Sequence, residues 1–129
     1  NHRFGLYDMI MLKDNHIDYA GGNKNAIEKT KEYLSKTNRK LKIEIEVRNL
    51  EELNQVIEVG GVDRIMLDNF KPDLIKEAIA LINSRCEIEV SGGITKENLM
   101  DYAIKGIDFI SMGALTHSVK SLDLSLKIT

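Results

Sequence analysis

The sequence predicts an α/β fold with a parallel sheet and, within that class, part of a βα barrel. Three observations carry this. Short apolar segments alternate with helical ones and Gly sits near most joins, which is the pattern of repeated βα units. The later strand ends, Leu67, Val90 and Met112, are 23 and 22 residues apart, close to a minimal βα repeat, and even spacing favours a barrel over an open doubly wound sheet. The chain has 129 residues, whereas a complete eight-fold barrel takes about 250, so the barrel is expected to be partial.

The elements follow in order. Asp8–Leu12 is a short apolar run suited to a strand buried on both faces. From Asn23 to about Ser35, Ala26, Ile27, Thr30, Tyr33 and Leu34 fall on one helical stripe. Ile43–Val47 alternates strictly and reads as strand. Asn49 opens the next helix, with Glu52 three residues on as in a capping box, and Gly60-Gly61 ends it. Arg64–Leu67 is the third strand. Pro72, the sole proline, suits the first turn of a helix running to about Asn83. Glu87–Val90 is the fourth strand, Thr95 is expected to cap a helix ending near Gly106, and Ile107–Met112 is the fifth strand. The alternating stretch Leu122–Ile128 reads as one more strand without an assigned neighbour.

Composition narrows the function classes. Eighteen basic side chains stand against 20 acidic ones, a net charge of −2, which removes the whole-chain electrostatic case for a nucleic-acid or membrane-surface partner. With 43% hydrophobic residues a core is affordable and disorder is not expected. The single Cys86 cannot form an internal disulfide and points to a reducing, cytoplasmic setting. No apolar run approaches the roughly 20 residues of a membrane-spanning helix. The sequence opens at Asn1 without Met, so an interior start is held open.

The alternation within strands sorts side chains onto two faces. If Ile43, Ile45, Val47, Ile65, Leu67, Ile88 and Val90 face the helices, then Glu44, Glu46, Arg64, Met66, Asp68, Glu87, Glu89 and Ser91 share the other face, with Lys13 beside Met9 and Met11. In a closed barrel that face is the lumen, normally filled with Val, Ile and Leu, and unpaired charge buried there is costly. A buried ion-pair network, with Arg64 and Lys13 balancing the four glutamates, is one reading. A second reading concerns position: Lys13, Glu46, Asp68, Ser91 and Gly113 all sit at or just past the C-terminal ends of their strands, the end that carries the active site in βα folds.

Two glycine segments follow the last two parallel strands, Ser91-Gly92-Gly93-Ile94 and Met112-Gly113-Ala114. Glycine lets backbone amides approach a ligand closely, and paired glycine loops on successive late strands match the phosphate site common in βα barrels. The opening is basic, with His2, Arg3, Lys13 and His16, and Arg and Lys suit carboxylate or phosphate. Composition and spacing therefore reach a βα protein that binds an anionic, phosphorylated small molecule, without naming a reaction.

Several segments resemble a known family. Asn1–Asp8 running into Met11–Ile17 is similar to the NHRxGLxDxxLxKDNH block of quinolinate phosphoribosyltransferase, also called nicotinate-nucleotide pyrophosphorylase (carboxylating). Glu44–Val47 resembles its EVEV strand, Met66–Phe70 its LDN motif, Ser91–Ile94 its SGG loop, Ile107–Ser118 its VDxISxGxLTHS ending and Leu122–Leu126 its terminal LDxSL. The blocks occur in order across essentially the whole chain.

The resemblance implies transfer of the phosphoribosyl group of PRPP to the ring nitrogen of quinolinate, giving nicotinate mononucleotide, pyrophosphate and CO2 in NAD synthesis, with Mg2+ accompanying PRPP. It implies the C-terminal part of a type II phosphoribosyltransferase barrel, seven-stranded and open on one side. It further implies that residues 1–129 lack the N-terminal α/β sandwich domain and the first barrel strands. Carried over by position, Arg3 and Lys13, with His2 beside them, would bind the quinolinate carboxylates. Glu46 and Asp68 would face the ribose and the magnesium-bound PRPP and act as the catalytic carboxylates. Ser91, Gly92 and Gly93, with Met112, Gly113 and Ala114, would cradle the 5-phosphate, and His117 lies next to that segment. Asp14, Asn15, His16 and Asn69 match the motifs and are assigned structural hydrogen bonding. The basic TRKT-type segment and an arginine from the other subunit's N-terminal domain are not in these residues, so the chain is expected to be inactive alone and to work within a homodimer or higher homo-oligomer. The alternatives are a related type II enzyme acting on nicotinate or the molybdenum-associated homologue, a non-catalytic phosphate-binding module, and a different barrel enzyme using Lys13.

Overall fold

The computed structural model describes residues 9–12, 22–38, 41–114 and 122–127, with side chains at 9–12, 27–38 and 41–112. Its order is β1 (Met9–Leu12), α1 (Gly22–Lys36), β2 (Lys42–Val47), α2 (Leu50–Val59), β3 (Arg64–Asp68), α3 (Pro72–Ile82), β4 (Glu87–Ser91), a single 3-10 turn (Leu99–Tyr102), β5 (Phe109–Ala114) and β6 (Leu122–Lys127). One six-stranded sheet runs β1-β2-β3-β4-β5-β6. The first five strands are parallel and β6 is antiparallel to β5. Each crossover steps one strand in the same direction, as in a barrel wall, whereas a doubly wound sheet reverses. The partial-barrel expectation agrees with this. β6 breaks the parallel run because only residues 115–121 separate it from β5, and a parallel crossover needs a dozen or more.

The aliphatic alternation sends one side of every strand into the core. Ile45, Val47, Ile65, Leu67, Ile88, Val90 and Ile110 are buried against Ile27 of α1, Leu53 and Val56 of α2 and Ile75, Ala78 and Ile82 of α3. The α1 stripe is narrower than expected: Ile27 and Leu34 are buried, while Tyr33 is 53% exposed. Ile27 and Leu34 lie two helical turns apart on one line, and Tyr33 falls to its flank.

Local signals set the helix ends. Asn49 caps α2, its Oδ1 accepting from Glu52 N at 2.8 Å, a contact worth about 1 kcal/mol. Glu52 returns the bond one residue earlier than a standard capping box, since its Oε1 accepts from Arg48 N at 2.7 Å. Gly60 ends α2 at φ 73. Pro72 starts α3, and Asn83 closes it in the left-handed region. The helix expected between Thr95 and Gly106 is absent as an α-helix. The segment holds only the 3-10 turn at Leu99–Tyr102, and Thr95 does not cap it. Thr95 N instead donates to Asn98 Oδ1 at 2.8 Å, so the chain turns back before a helical ladder begins.

Candidate active site

The inner face of the sheet divides into two layers. In the lower one, register places Glu44 beside Arg64 and Arg64 beside Glu87. Arg64 Nη1 lies 4.0 Å from Glu44 Oε1 and 3.5 Å from Glu89 Oε1, and its Nη2 lies 3.1 Å from Glu87 Oε1. Its guanidinium also stacks on Phe109, 3.9 Å from the ring centroid. The ion-pair reading therefore holds for this layer, with Arg64 serving three carboxylates; Lys13, the second expected cation, lies outside the described residues. Glu44 is buried, and among the described residues its Oε2 has no hydrogen-bond partner. Burial, and then the neighbouring Glu89, push the Glu44 carboxyl up to about 8, with Arg64 opposing. Ser111 of β5 donates to Glu89 Oε2, which ties the fifth strand into the same layer.

The upper layer is the C-terminal mouth of the sheet. Glu46 is opposite Met66, and Asp68 follows two residues on along the same face, opposite Ser91. Glu46 and Asp68 are thus diagonal neighbours on adjacent strands, roughly 8 Å apart at Cα by sheet geometry. Glu46, Asp68 and Ser91 are all half-buried. Asn69 N donates to Ser91 O at 2.9 Å, joining the mouths of β3 and β4. Asn69 itself has φ 61, in the left-handed region, which Asn tolerates better than most residues.

The Ser91-Gly92-Gly93-Ile94 loop leaves β4 here, and both glycines are needed. Gly92 has φ 96, and a Cβ there would stand 2.7 Å from Asn69 Oδ1 and 2.8 Å from Asn69 N. Gly93 has φ 71. Among the described residues nothing accepts a hydrogen bond from the amides of Gly92, Gly93 or Ile94. Both glycines hold a positive φ, a backbone region that residues with side chains rarely adopt. The 3-10 turn that follows, Leu99–Tyr102, is too short to add a helix-dipole contribution.

The second glycine segment differs from expectation. Met112, Gly113 and Ala114 form no loop; they continue β5 and pair with Leu124, Asp123 and Leu122 of β6. β5 pairs with β4 only at Phe109 and Ile110. In an antiparallel ladder alternate residues point their amides away from the partner, so the upper half of β5 turns every second amide toward the side of the Ser91–Ile94 loop. The two segments remain neighbours, one as a loop and one as a strand edge. His2, Arg3, Lys13, Asp14, Asn15, His16 and His117 lie outside the described residues.

A cleft of about 560 Å³ lies at the opposite end of the sheet, between Lys42, Asp63, Arg85, Glu87 and Asp108. Its aspartates have structural work. Asp63 Oδ2 accepts from Ile43 N and Asp108 Oδ2 from Ile88 N, each fastening the start of the preceding strand. The repeated Gly-Val-Asp63 and Gly-Ile-Asp108 are the sequence signal for this device. Cys86 lines the same cleft, and burial and then Asp63 push its thiol up to about 11, far from a nucleophile at neutral pH. The cleft at the opposite end thus pairs its aspartates with strand amides, whereas the Gly92 and Gly93 amides at the C-terminal mouth have no partner among the described residues.

A family model described as the C-terminal domain of quinolinate phosphoribosyl transferase matches residues 1–127. The chain belongs to that family. A chloroplastic nicotinate-nucleotide pyrophosphorylase (carboxylating) of Arabidopsis thaliana is 47% identical over 142 aligned residues, covering 99% of this chain and 41% of the relative. A probable nicotinate-nucleotide pyrophosphorylase of Methanocaldococcus jannaschii is 52% identical, covering 98% of this chain and 46% of the relative. The solved nicotinate-nucleotide pyrophosphorylase of Francisella tularensis superposes with a TM-score of 0.73 at 39% identity, covering 98% of this chain and 44% of that one. The chain thus spans less than half the length of the relatives it matches, and the fold agrees with a part of the barrel of this C-terminal domain family.

Mg2+ requires oxygen donors in near-octahedral geometry. Among the described residues no group of three or more His, Cys, Asp or Glu could hold a metal ion by itself. Two half-buried carboxylates at one mouth do suit Mg2+ that arrives on a polyphosphate, since Mg2+ is commonly bound by one or two carboxylates plus substrate phosphates. The residues fit the ion only in that shared mode. Sequence reasoning missed two residues at this mouth. Arg48 follows Glu46 by two positions, and its Nε lies 3.1 Å from Glu52 Oε2. Asn98 reaches back to the glycine loop. The alternation Glu44, Glu46, Arg48 could have shown the first; nothing local marks the second. Among the described residues no helix is long and apolar enough to cross a membrane.

Proposed function

We propose that this chain supplies the PRPP-facing part of a quinolinate phosphoribosyltransferase site, transferring phosphoribose from PRPP to quinolinate with decarboxylation to nicotinate mononucleotide, pyrophosphate and CO2. The observation that carries it is the register pair Asp68–Ser91, with Glu46 one strand away and the unspent amides of Gly92 and Gly93 alongside. A 5-phosphate seats on the loop amides, and the half-buried Glu46 and Asp68 face the ribose. Their carboxylates stabilise positive charge at the anomeric carbon as pyrophosphate leaves, an electrostatic contribution realised in the transition state. Mg2+ bound with PRPP supplies neutralisation of the departing pyrophosphate. His2, Arg3 and Lys13 complete the reading as the cationic partners of the two quinolinate carboxylates, with His117 beside the phosphate. The wider reading includes a homo-oligomeric, cytoplasmic protein in which further basic groups join the site.

The test grafts this chain in place of the matched segment of the Methanocaldococcus jannaschii relative. The folded chimera is expected to release CO2 from quinolinate in the presence of PRPP and Mg2+, and the isolated chain is not. A chimera with native-like circular dichroism that makes no nicotinate mononucleotide overturns the proposal. Transfer to nicotinate in preference to quinolinate would place it with the related type II enzymes, and ligand binding without transfer would make it a binding module.

A further inference from the structure

Two asparagines at helical cap positions use their side chains differently. Asn49 and Asn98 both stand at the N-terminal boundary of a helical segment. Asn49 spends its side chain on the helix that it opens. Asn98 makes no side-chain bond to the turn that follows it, and its φ of −110 and ψ of 6 are not those of an extended cap. Its carboxamide points backwards instead. Asn98 Nδ2 donates to Gly93 O at 2.9 Å, and Asn98 Oδ1 accepts from Thr95 N at 2.8 Å. One side chain therefore satisfies a carbonyl and an amide on the two sides of Ile94, whose own side chain is buried in the core.

This geometry has a consequence for the loop amides. With Gly93 O and Thr95 N both engaged by Asn98, the loop cannot relax by turning either group inward. On the other side Asn69 lies where a Gly92 side chain would have to go. The loop is thus held between two asparagines, one by contact and one by paired hydrogen bonds. The groups left without a partner among the described residues are the amides of Gly92, Gly93 and Ile94.

We infer that Asn98 is a positioning residue for phosphate binding: its carboxamide fixes the Ser91–Thr95 loop in the one conformation that leaves the Gly92 and Gly93 amides facing a ligand phosphate. It touches no reacting atom and acts through the loop. The inference rests on the reading of the loop as a 5-phosphate seat and adds the residue that preorganises it, in the sense that binding is stronger when the ordering cost has been met in the free protein.

The test uses the full 15N-labelled chain with ribose 5-phosphate as probe. In the wild type the probe is expected to move the Gly92 and Gly93 amide resonances. Asn98→Ala should broaden or shift those two resonances before any ligand is added and weaken binding about tenfold, with the melting temperature unchanged. Asn98→Asp keeps the shape and the acceptor for Thr95 N but loses the donor to Gly93 O, so it should weaken binding at least as much. In the chimera both substitutions should raise the KM for PRPP about tenfold and leave the KM for quinolinate within about twofold. Binding by both variants within about twofold of a wild type that does bind overturns the inference alone. Equal losses for both substrates together with a lower melting temperature overturn it as well, since they show a purely structural role. A wild type whose Gly92 and Gly93 amides ignore ribose 5-phosphate overturns the phosphate reading itself, and the inference with it.

Discussion

Two layers of one sheet face carry nearly the same residue types and do opposite things with them. In the lower layer Glu44, Glu87 and Glu89 gather around Arg64, which is buried with Glu44 and Glu89 and stacked on Phe109. In the upper layer Glu46 and Asp68 stand half-buried at the strand ends, beside a loop whose Gly92 and Gly93 amides have no partner among the described residues. Below, the three carboxyl groups share Arg64 as a partner, since an unpaired buried ion is costly. Above, Glu46 and Asp68 are only half-buried. Position along the strand, and not residue type, separates structure from chemistry.

The largest effect that would test this contrast comes from the lower layer. Arg64→Met removes the shared partner of three carboxylates and is expected to destabilise the chain by about 3–5 kcal/mol, read as a drop in the urea midpoint. A loss below about 1 kcal/mol would mean the layer is not held by its ion pairs. The upper layer should respond in the other currency. Asp68→Asn or Glu46→Gln is expected to lower kcat of the chimera by about 10²–10³ while the urea midpoint moves little. If either variant unfolds the chain and leaves turnover of the folded fraction intact, the two layers are not functionally distinct.

The smallest expected effect concerns Glu44. Its carboxyl is held up to about 8 against an ordinary value of 4.5, so the folded state keeps a proton that the unfolded chain releases. Stability from this group is fully present below about 4.5 and is lost progressively as pH rises toward about 8. Glu44→Gln is neutral throughout and should flatten that decline, by on the order of 2 kcal/mol between pH 5 and pH 8. Parallel stability–pH curves for the two proteins would show that Glu44 is charged in the fold.

Much of this was legible from sequence. The alternation of Ile43, Ile45 and Val47 with Glu44 and Glu46 assigned both faces of β2, and the structure places Ile45 and Val47 in the core and Glu44 on the charged face. Asn49 and Pro72 marked helix starts because capping is local physics, settled within four residues. Two features were not legible. Thr95 looks like a helix cap, but Asn98 takes its amide and the expected helix shrinks to Leu99–Tyr102. Met112-Gly113-Ala114 looks like a loop, but β6 folds back along it and draws it into the sheet. Both errors come from partners whose pull no propensity contains.

The sequence by itself determined the βα order, the apolar and charged faces of the strands, the family, and the positions Glu46, Asp68 and Ser91 as strand-end polar residues, because period and spacing are properties of the chain alone. Only the tertiary structure decided how deeply each carboxylate is buried. Glu44 and Glu46 are alike in sequence and two residues apart, yet Glu44 lies beneath the mouth beside Arg64 and Glu46 lies at its rim. Their difference is a difference in access to water and to neighbours, and that exists only once five strands are placed side by side.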